Sequence, residues 1–346
     1  MTQAPEHQLP SPPAPRAASE AVRPGAPRAG GPAAASRTDL VLLVAINFMW
    51  ALKWTLAKLA LRQLDPVSIT LFPTLGAILL LLPLLRKRLK AQPAYGGIIR
   101  KEALEPANLG RFFLLGAAGQ VAANVLTSWG LKYVPATDAA LIGLGTPIVN
   151  AILAVVFVGE AFTWRLVPGF AFALTGVLLI TGINLHTGAV SNWHYLFGVL
   201  LFFAATLGAA FYNAYSKKLL GRFEAAEILF YSYIVAALGL YPFHVALEQP
   251  LSLARIAAFH WQTWCAIALM ALLVYGLSMV LFLQLLTRRS LAPVSISIYL
   301  MTVFGVLIST TTLHEPLTGR LVAGGLLVLL GTIFANLGKP ATQRAA

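Results

Sequence analysis

The chain has 346 residues, 58% hydrophobic and only 11% charged, with a formal net charge of +13. Soluble domains carry about 25% charged residues, so composition excludes a soluble globular domain and points to a polytopic helical membrane protein. The single cysteine, Cys265, excludes an intrachain disulfide framework and a cysteine-based metal site.

Residues 1–38 are mostly Ala, Pro, Arg and Gly. They cannot bury enough apolar surface to fold and are expected to form a disordered cytoplasmic tail. Apolar runs of about 20 residues then follow one another, the length a helix needs to cross a hydrocarbon core of roughly 30 Å. They predict spans at 40–61, 66–85, 109–131, 137–158, 164–185, 195–217, 224–245, 262–286, 291–313 and 319–338. Most connections are short; the exception is the basic loop 86–108. Residues 339–346 form a short C-terminal tail.

The positive charge could suggest a nucleic-acid partner, but it falls between the spans, so no nucleic-acid partner is expected. With the N-terminus inside, nineteen Lys and Arg lie on the cytoplasmic side and five on the other. Both termini are therefore expected in the cytoplasm.

The strongest pattern is internal. At a constant offset of 155 residues, Glu160-Ala-Phe-Thr-Trp-Arg-Leu-Val-Pro-Gly is matched by Glu315-Pro-Leu-Thr-Gly-Arg-Leu-Val-Ala-Gly, and Gly176 by Gly331. A period near half the chain means a duplicated unit. Five spans per copy is an odd number, so the copies must be inverted, a device of secondary transporters. The expected fold is all-α and polytopic, with ten transmembrane helices in two inverted five-helix repeats, 39–186 and 194–338.

These features together resemble the EamA-type members of the drug/metabolite transporter superfamily: the inverted halves, a first span running from Trp50 to Lys58, and Gly/His-Glu-x-x-Thr corners at Gly159–Glu160 and His314–Glu315. The resemblance covers about 39–338. It implies export of amino acids, metabolites or toxic compounds from the cytoplasm across the cell membrane. Protons are the candidate coupling ion, no cofactor is implied, and the oligomeric state is left open.

Lys53 is the most informative residue, because an ionisable group deep in a span is costly and faces a bundle interior or a wet cavity. On a helical projection Asn47, Trp50, Lys53, Trp54 and Lys58 fall on one arc of about 140°. Two readings of Lys53 stay open: a cavity cation that binds an anionic group or titrates during transport, and a structural lysine held by backbone carbonyls. Lys58, nearer the interface, is either a snorkelling anchor or a gate. Pro147 would bend the fourth span and expose carbonyls near Asn150. Gln120 and Asn124 form an i, i+4 pair, and Tyr275 stands 155 residues after Gln120. In span nine, Ser295, Tyr299 and Thr302 share one face, lining a cavity or joining helices. The expected cavity residues are thus Asn47, Trp50, Lys53, Gln120, Asn124, Asn150, Tyr275, Tyr299 and Thr302. Pro147, Lys58, Glu160 and Glu315 are expected to be gating or structural, with the Thr and Arg after each Glu capping and pairing at the next helix.

No phosphate loop or H-E-x-x-H motif is present, so any pumping draws on gradients. The expected function is a metabolite exporter working by alternating access. The alternatives are an importer or exchanger of phosphorylated or anionic metabolites, with Lys53 and Lys58 clamping the phosphate, and a membrane-embedded lipid-handling enzyme.

Overall fold

Every regular element in the computed structural model is helical among the residues it describes, which are 37–91, 97–146, 148–149, 164, 166–181, 193–248, 252–288 and 291–336. Inside a bilayer no water satisfies backbone N–H and C=O groups, so a helix, which satisfies its own, is the form these apolar runs can take. We label the principal helices α1 Arg37–Ala60, α2 Pro66–Ala91, α3 Pro106–Tyr133, α4 Ala136–Gly145, α5 Leu166–Thr181, α6 Trp193–Leu219, α7 Ala225–Leu247, α8 Trp261–Thr287, α9 Leu291–Leu313 and α10 Gly319–Asn336. Six of them (α1, α2, α3, α6, α7 and α8) are long and apolar enough to cross a membrane. The apolar stretches of α4, α5, α9 and α10 are shorter. The second half of the expected 137–158 span, with Pro147, Asn150 and the corner at Glu160, lies outside the described residues.

Local sequence explains the boundaries. Pro66 and Pro106 open α2 and α3, where a missing N–H costs nothing. A reciprocal bond pair between Glu224 and Glu227 caps α7. Thr318 Oγ1 accepts from Leu321 N at the start of α10, the capping expected of the threonine after Glu315. Helix α2 runs on to Ala91, past the predicted end at 85. Arg86 and Lys87 lie in this extension, where cations favour the negative end of the helix dipole.

The 155-residue offset reappears in backbone geometry. Helices α3 and α8 begin at 106 and 261, α4 and α9 at 136 and 291. Both α3 and α8 carry a π-helical turn at the equivalent place, Leu115–Val121 and Met270–Leu277. The wider turn leaves carbonyls to side chains. Gln120 O accepts from Asn124 Nδ2 at 2.9 Å, and Tyr275 O accepts from Tyr233 Oη at 2.7 Å. Each π turn packs on a small-residue contact, Gly116 against Val235 of α7 and Ala271 against Gly76 of α2.

Helices α5 and α10 cross antiparallel through equivalent glycines. Gly176 lies against Gly324, and Gly331 against the carbonyl of Gly169. Elsewhere polar side chains join helices within the apolar core. Thr55 and Ser309 hydroxyls lie 3.1 Å apart between α1 and α9, and Thr302 Oγ1 donates to Ala140 O of α4. Large apolar residues such as Val41, Leu79, Phe113 and Leu238 are exposed on the outer faces of the helices, as lipid contact requires.

Candidate functional site

Helices α1, α3, α4, α6, α7, α8 and α9 line a cavity of about 200 Å³. Its polar wall is built around Lys53. The ammonium donates to Asn124 Oδ1 at 2.7 Å, and Asn124 Nδ2 in turn donates to Gln120 Oε1 at 2.8 Å. The order of this relay is dictated by chemistry. Lysine can only donate, so Asn124 must offer it the oxygen, and the Asn124 amide nitrogen then claims the Gln120 oxygen. Gln120 Nε2 lies in the buried cavity wall without a hydrogen bond of full geometry, in contact with Tyr212. The hydroxyl of Tyr275, equally buried, is in the same position beside Thr70.

Much of the remaining lining is apolar. Trp50 packs edge-on against Phe282 with ring centroids 5.0 Å apart. Trp54 is wedged between α4 and α9, where Gly143 and Gly305 leave room for its ring. Phe202, Ile142, Ile298, Met279 and Met301 complete this side. Among the described lining residues there is no Asp or Glu.

Of the residues singled out from sequence, the structure brings Trp50, Lys53, Gln120, Asn124 and Tyr275 together around this cavity. It places three others elsewhere. Asn47 is fully buried, donating to Leu43 O and to Ser297 Oγ of α9, because its amide is used to bind α1 to α9. Thr302 is spent on the α4 backbone, and Tyr299 packs against the hydrophobic core. Asn150, Pro147 and Glu160 lie outside the described residues.

Lys58 ties α1 to the end of α3, donating to Leu131 O at 2.5 Å and Val134 O at 3.0 Å. Glu315 acts on a helix of the other copy. Its carboxylate accepts from Ala136 N at 3.0 Å and from Thr137 N and Oγ1, each at 2.7 Å, and so caps α4 from the other copy of the repeat. Tyr195 Oη donates to Asp138 in the first turn of α4, and Lys58, Glu315 and Arg320 lie within electrostatic reach of that carboxylate. A second long-range cap joins α7 to α2: Glu248 accepts from Val67 N, Ser68 N and Ser68 Oγ, with His244 alongside. Polar contacts therefore tie the helix ends together on this side of the bundle.

Sequence reasoning missed the α6 and α7 side of the cavity, including Thr206, Tyr212, Asn213 and Tyr233. A helical-face reading of α6 could have found it, because Phe202, Thr206, Ala209 and Asn213 recur every three or four residues.

The chain matches the model of the EamA-like transporter family over residues 38–182 and again over 196–337. Among curated relatives, a protein of Streptantibioticus cattleyicolor described as a "Probable terminal-alkyne amino-acid exporter" is 28% identical over 225 residues, 64% of this chain and 71% of that one. An "Uncharacterized transporter" of Archaeoglobus fulgidus is 25% identical over 84% of this chain and 96% of its own length. YyaM of Bacillus subtilis, also an uncharacterized transporter, is 25% identical over 86% and 92%. A solved chain described only as "Crystal structure of protein" shares the fold with a TM-score of 0.59 at 17% identity, covering 87% of this chain and 98% of that one. Two family matches that together span most of the sequence, on helices that repeat at the same offset, establish that this chain is a multi-pass membrane protein of the EamA-like transporter family, within the drug/metabolite transporter superfamily.

Proposed function

We propose that this protein is a secondary transporter that exports small metabolites, amino-acid-like in size, from the cytoplasm across the cell membrane. It moves its substrate unchanged rather than catalysing a reaction. Ten spans in two inverted five-helix halves, with both termini cytoplasmic, alternate between inward-open and outward-open arrangements around one central site. Trp50, Lys53, Gln120, Asn124 and Tyr275 bind the substrate there.

The observation that carries this reading is the pairing of Gln120 with Tyr275. They are equivalent residues of the two copies, on equivalent π turns, and both line the same cavity. A site shared between two pseudo-symmetric halves is what alternating access requires, since each half must release the substrate to one side. The antiparallel glycine crossing of α5 and α10 supports inversion, and the named exporter among the relatives supports the direction.

The test is flux in proteoliposomes holding the purified chain, loaded with amino acids, 2-oxo acids or amines, with and without a pH gradient. Efflux of one class above empty liposomes is expected, and acceleration by the gradient identifies protons as the coupling ion. No flux of any class overturns the proposal. Uptake or exchange of anionic metabolites is the second reading, favoured by the positive charge of Lys53, and counterflow in the same vesicles separates it from export.

A further inference from the structure

We infer that the cavity receives the carboxylate of a small monoanionic acid with an apolar body, held by Lys53 Nζ, Gln120 Nε2 and Tyr275 Oη. The inference rests on reading this cavity as the transport site. It adds the charge and shape of what enters.

Three observations converge on it. The first is the direction of the relay. Because the ammonium can only donate, Asn124 and Gln120 are oriented in series, and the far end of the series presents N–H rather than C=O. Lys53 spends one N–H on Asn124 and keeps two for a ligand. The second is a pair of buried donors whose contacts with the protein fall short of full hydrogen bonds, Gln120 Nε2 beside Tyr212 and Tyr275 Oη beside Thr70. The residues are 6% and 3% exposed. A buried donor that lacks a full hydrogen bond is costly, and an acceptor arriving with the substrate lowers that cost.

The third is the charge balance. Among the described lining residues there is one full positive charge and no carboxylate. A cation entering this space would meet a like charge with nothing to offset it. A phosphate dianion would bring two negative charges to one ammonium, leaving an uncompensated charge in a desolvated site. One carboxylate balances Lys53, and its two oxygens offer enough lone pairs for all three donors. The wall of Trp50, Trp54, Phe202 and Met279 then takes an apolar remainder. At about 200 Å³ the cavity lies below the roughly 300–1,000 Å³ of drug-sized sites.

The experiment uses the full chain purified in detergent and titrated calorimetrically with four probes of one carbon skeleton: 4-methyl-2-oxopentanoate, leucine, 3-methylbutylamine and 3-methylbutyl phosphate. The oxo acid is expected to bind at least about tenfold more tightly than the amine or the phosphate, the difference one charge-assisted hydrogen bond makes. Tyr275→Phe is the decisive variant. Its hydroxyl has no full bond to the protein, so the melting temperature is expected to hold or rise while oxo-acid affinity falls about tenfold. Lys53→Met is expected to abolish the preference for acid over amine.

Amine or phosphate binding as tightly as the oxo acid overturns the inference. So does unchanged oxo-acid affinity in Tyr275→Phe, or binding of none of the four probes. Parallel flux measurements separate the two proposals. Amine transport without acid preference defeats the carboxylate site and leaves the transporter standing, whereas tight acid binding without flux of any probe does the reverse.

Discussion

Gly176 and Gly324 touch backbone to backbone where α5 crosses α10: a Cβ placed on Gly176 would stand 2.5 Å from the Gly324 carbonyl oxygen. One turn-pair away, a Cβ on Gly331 would meet Gly169 O at the same 2.5 Å. An offset of 155 residues carries 169 to 324 and 176 to 331, so each contact is the other with its two halves exchanged. That exchange is the local signature of a two-fold axis between antiparallel helices. Without a hydrophobic force between helices in lipid, such close backbone approach is what holds them together.

Gly176→Ala and Gly324→Ala are therefore expected to destabilise the protein by about 1–3 kcal/mol, the cost of overpacking a tight contact. Gly319 is the internal control. Nothing lies within 4 Å of a Cβ there, so Gly319→Ala is expected to be neutral or stabilising by up to about 1 kcal/mol through helix propensity. Thermal unfolding of the purified variants reads both, and equal melting temperatures for Gly324→Ala and Gly319→Ala would contradict the crossing.

His314 ends α9 at φ +55°, a left-handed conformation that usually calls for glycine. The first copy has Gly159 at the equivalent place. His314 is exposed, so its side chain gives no packing in return. His314→Gly is expected to raise stability by about 1 kcal/mol, the penalty a Cβ carries in that region. A lowered melting temperature would mean that the imidazole makes a contact worth more than the strain.

The helical character and the 155-residue repeat were legible in the sequence because both are written in short-range pattern. Among the described residues, six of the ten expected spans are long and apolar enough to cross a membrane. Apolar length sets a span, and the Glu-x-x-Thr-x-Arg corner sets the offset. The site was legible only in part. Asn47, Lys53 and Trp50 share one arc of α1, yet Asn47 turns to Ser297 while Lys53 and Trp50 face the cavity. An arc on one helix does not say which neighbour it meets. The π turns left no trace in hydropathy, although they set the height at which Gln120 and Tyr275 face inward. Glu315 read as a local residue because spacing shows only the helix that follows, and its partners lie 178 and 179 residues earlier.

That cap yields the next expectation. Glu315→Ala removes all three bonds at the start of α4 and is expected to cost about 2 kcal/mol, the upper end for loss of a helix cap. Glu315→Gln keeps an acceptor but loses the charge at the positive end of the helix, and should cost about 1 kcal/mol or less. Melting temperatures in the order wild type, Gln, Ala are expected; an unchanged Ala variant would show that the α4 amides find water instead.

Topology is tested by sidedness. With Cys265 removed, cysteines replacing Ala91 and Ala341 are expected to react with an impermeant thiol reagent only from the cytoplasmic side, and a cysteine replacing Gly188 only from outside. Labelling of positions 91 and 188 from the same side would defeat the ten-span inverted arrangement.

The last expectation concerns Lys53. Its ammonium lies in the cavity wall on a single amide oxygen, whereas Lys58, one turn farther along α1, is held by two backbone carbonyls. The two lysines should therefore fail differently. Lys53→Ala is expected to cut transport at least about tenfold, the loss of one charge-assisted contact to substrate. The protein should remain inserted, with a melting temperature close to wild type. Lys53→Arg keeps the charge but replaces a compact ammonium with a broad planar fork that does not fit the Asn124 oxygen in the same way, so it should rescue only in part. Lys58→Ala leaves the Leu131 and Val134 carbonyls unpaired at the end of α3 and should lower the melting temperature first, with residual transport tracking the folded fraction. Measuring stability and flux on the same preparations separates the roles. Normal transport by folded Lys53→Ala would remove Lys53 from the substrate site, and an equal loss of stability in both variants would make it a structural lysine like its neighbour.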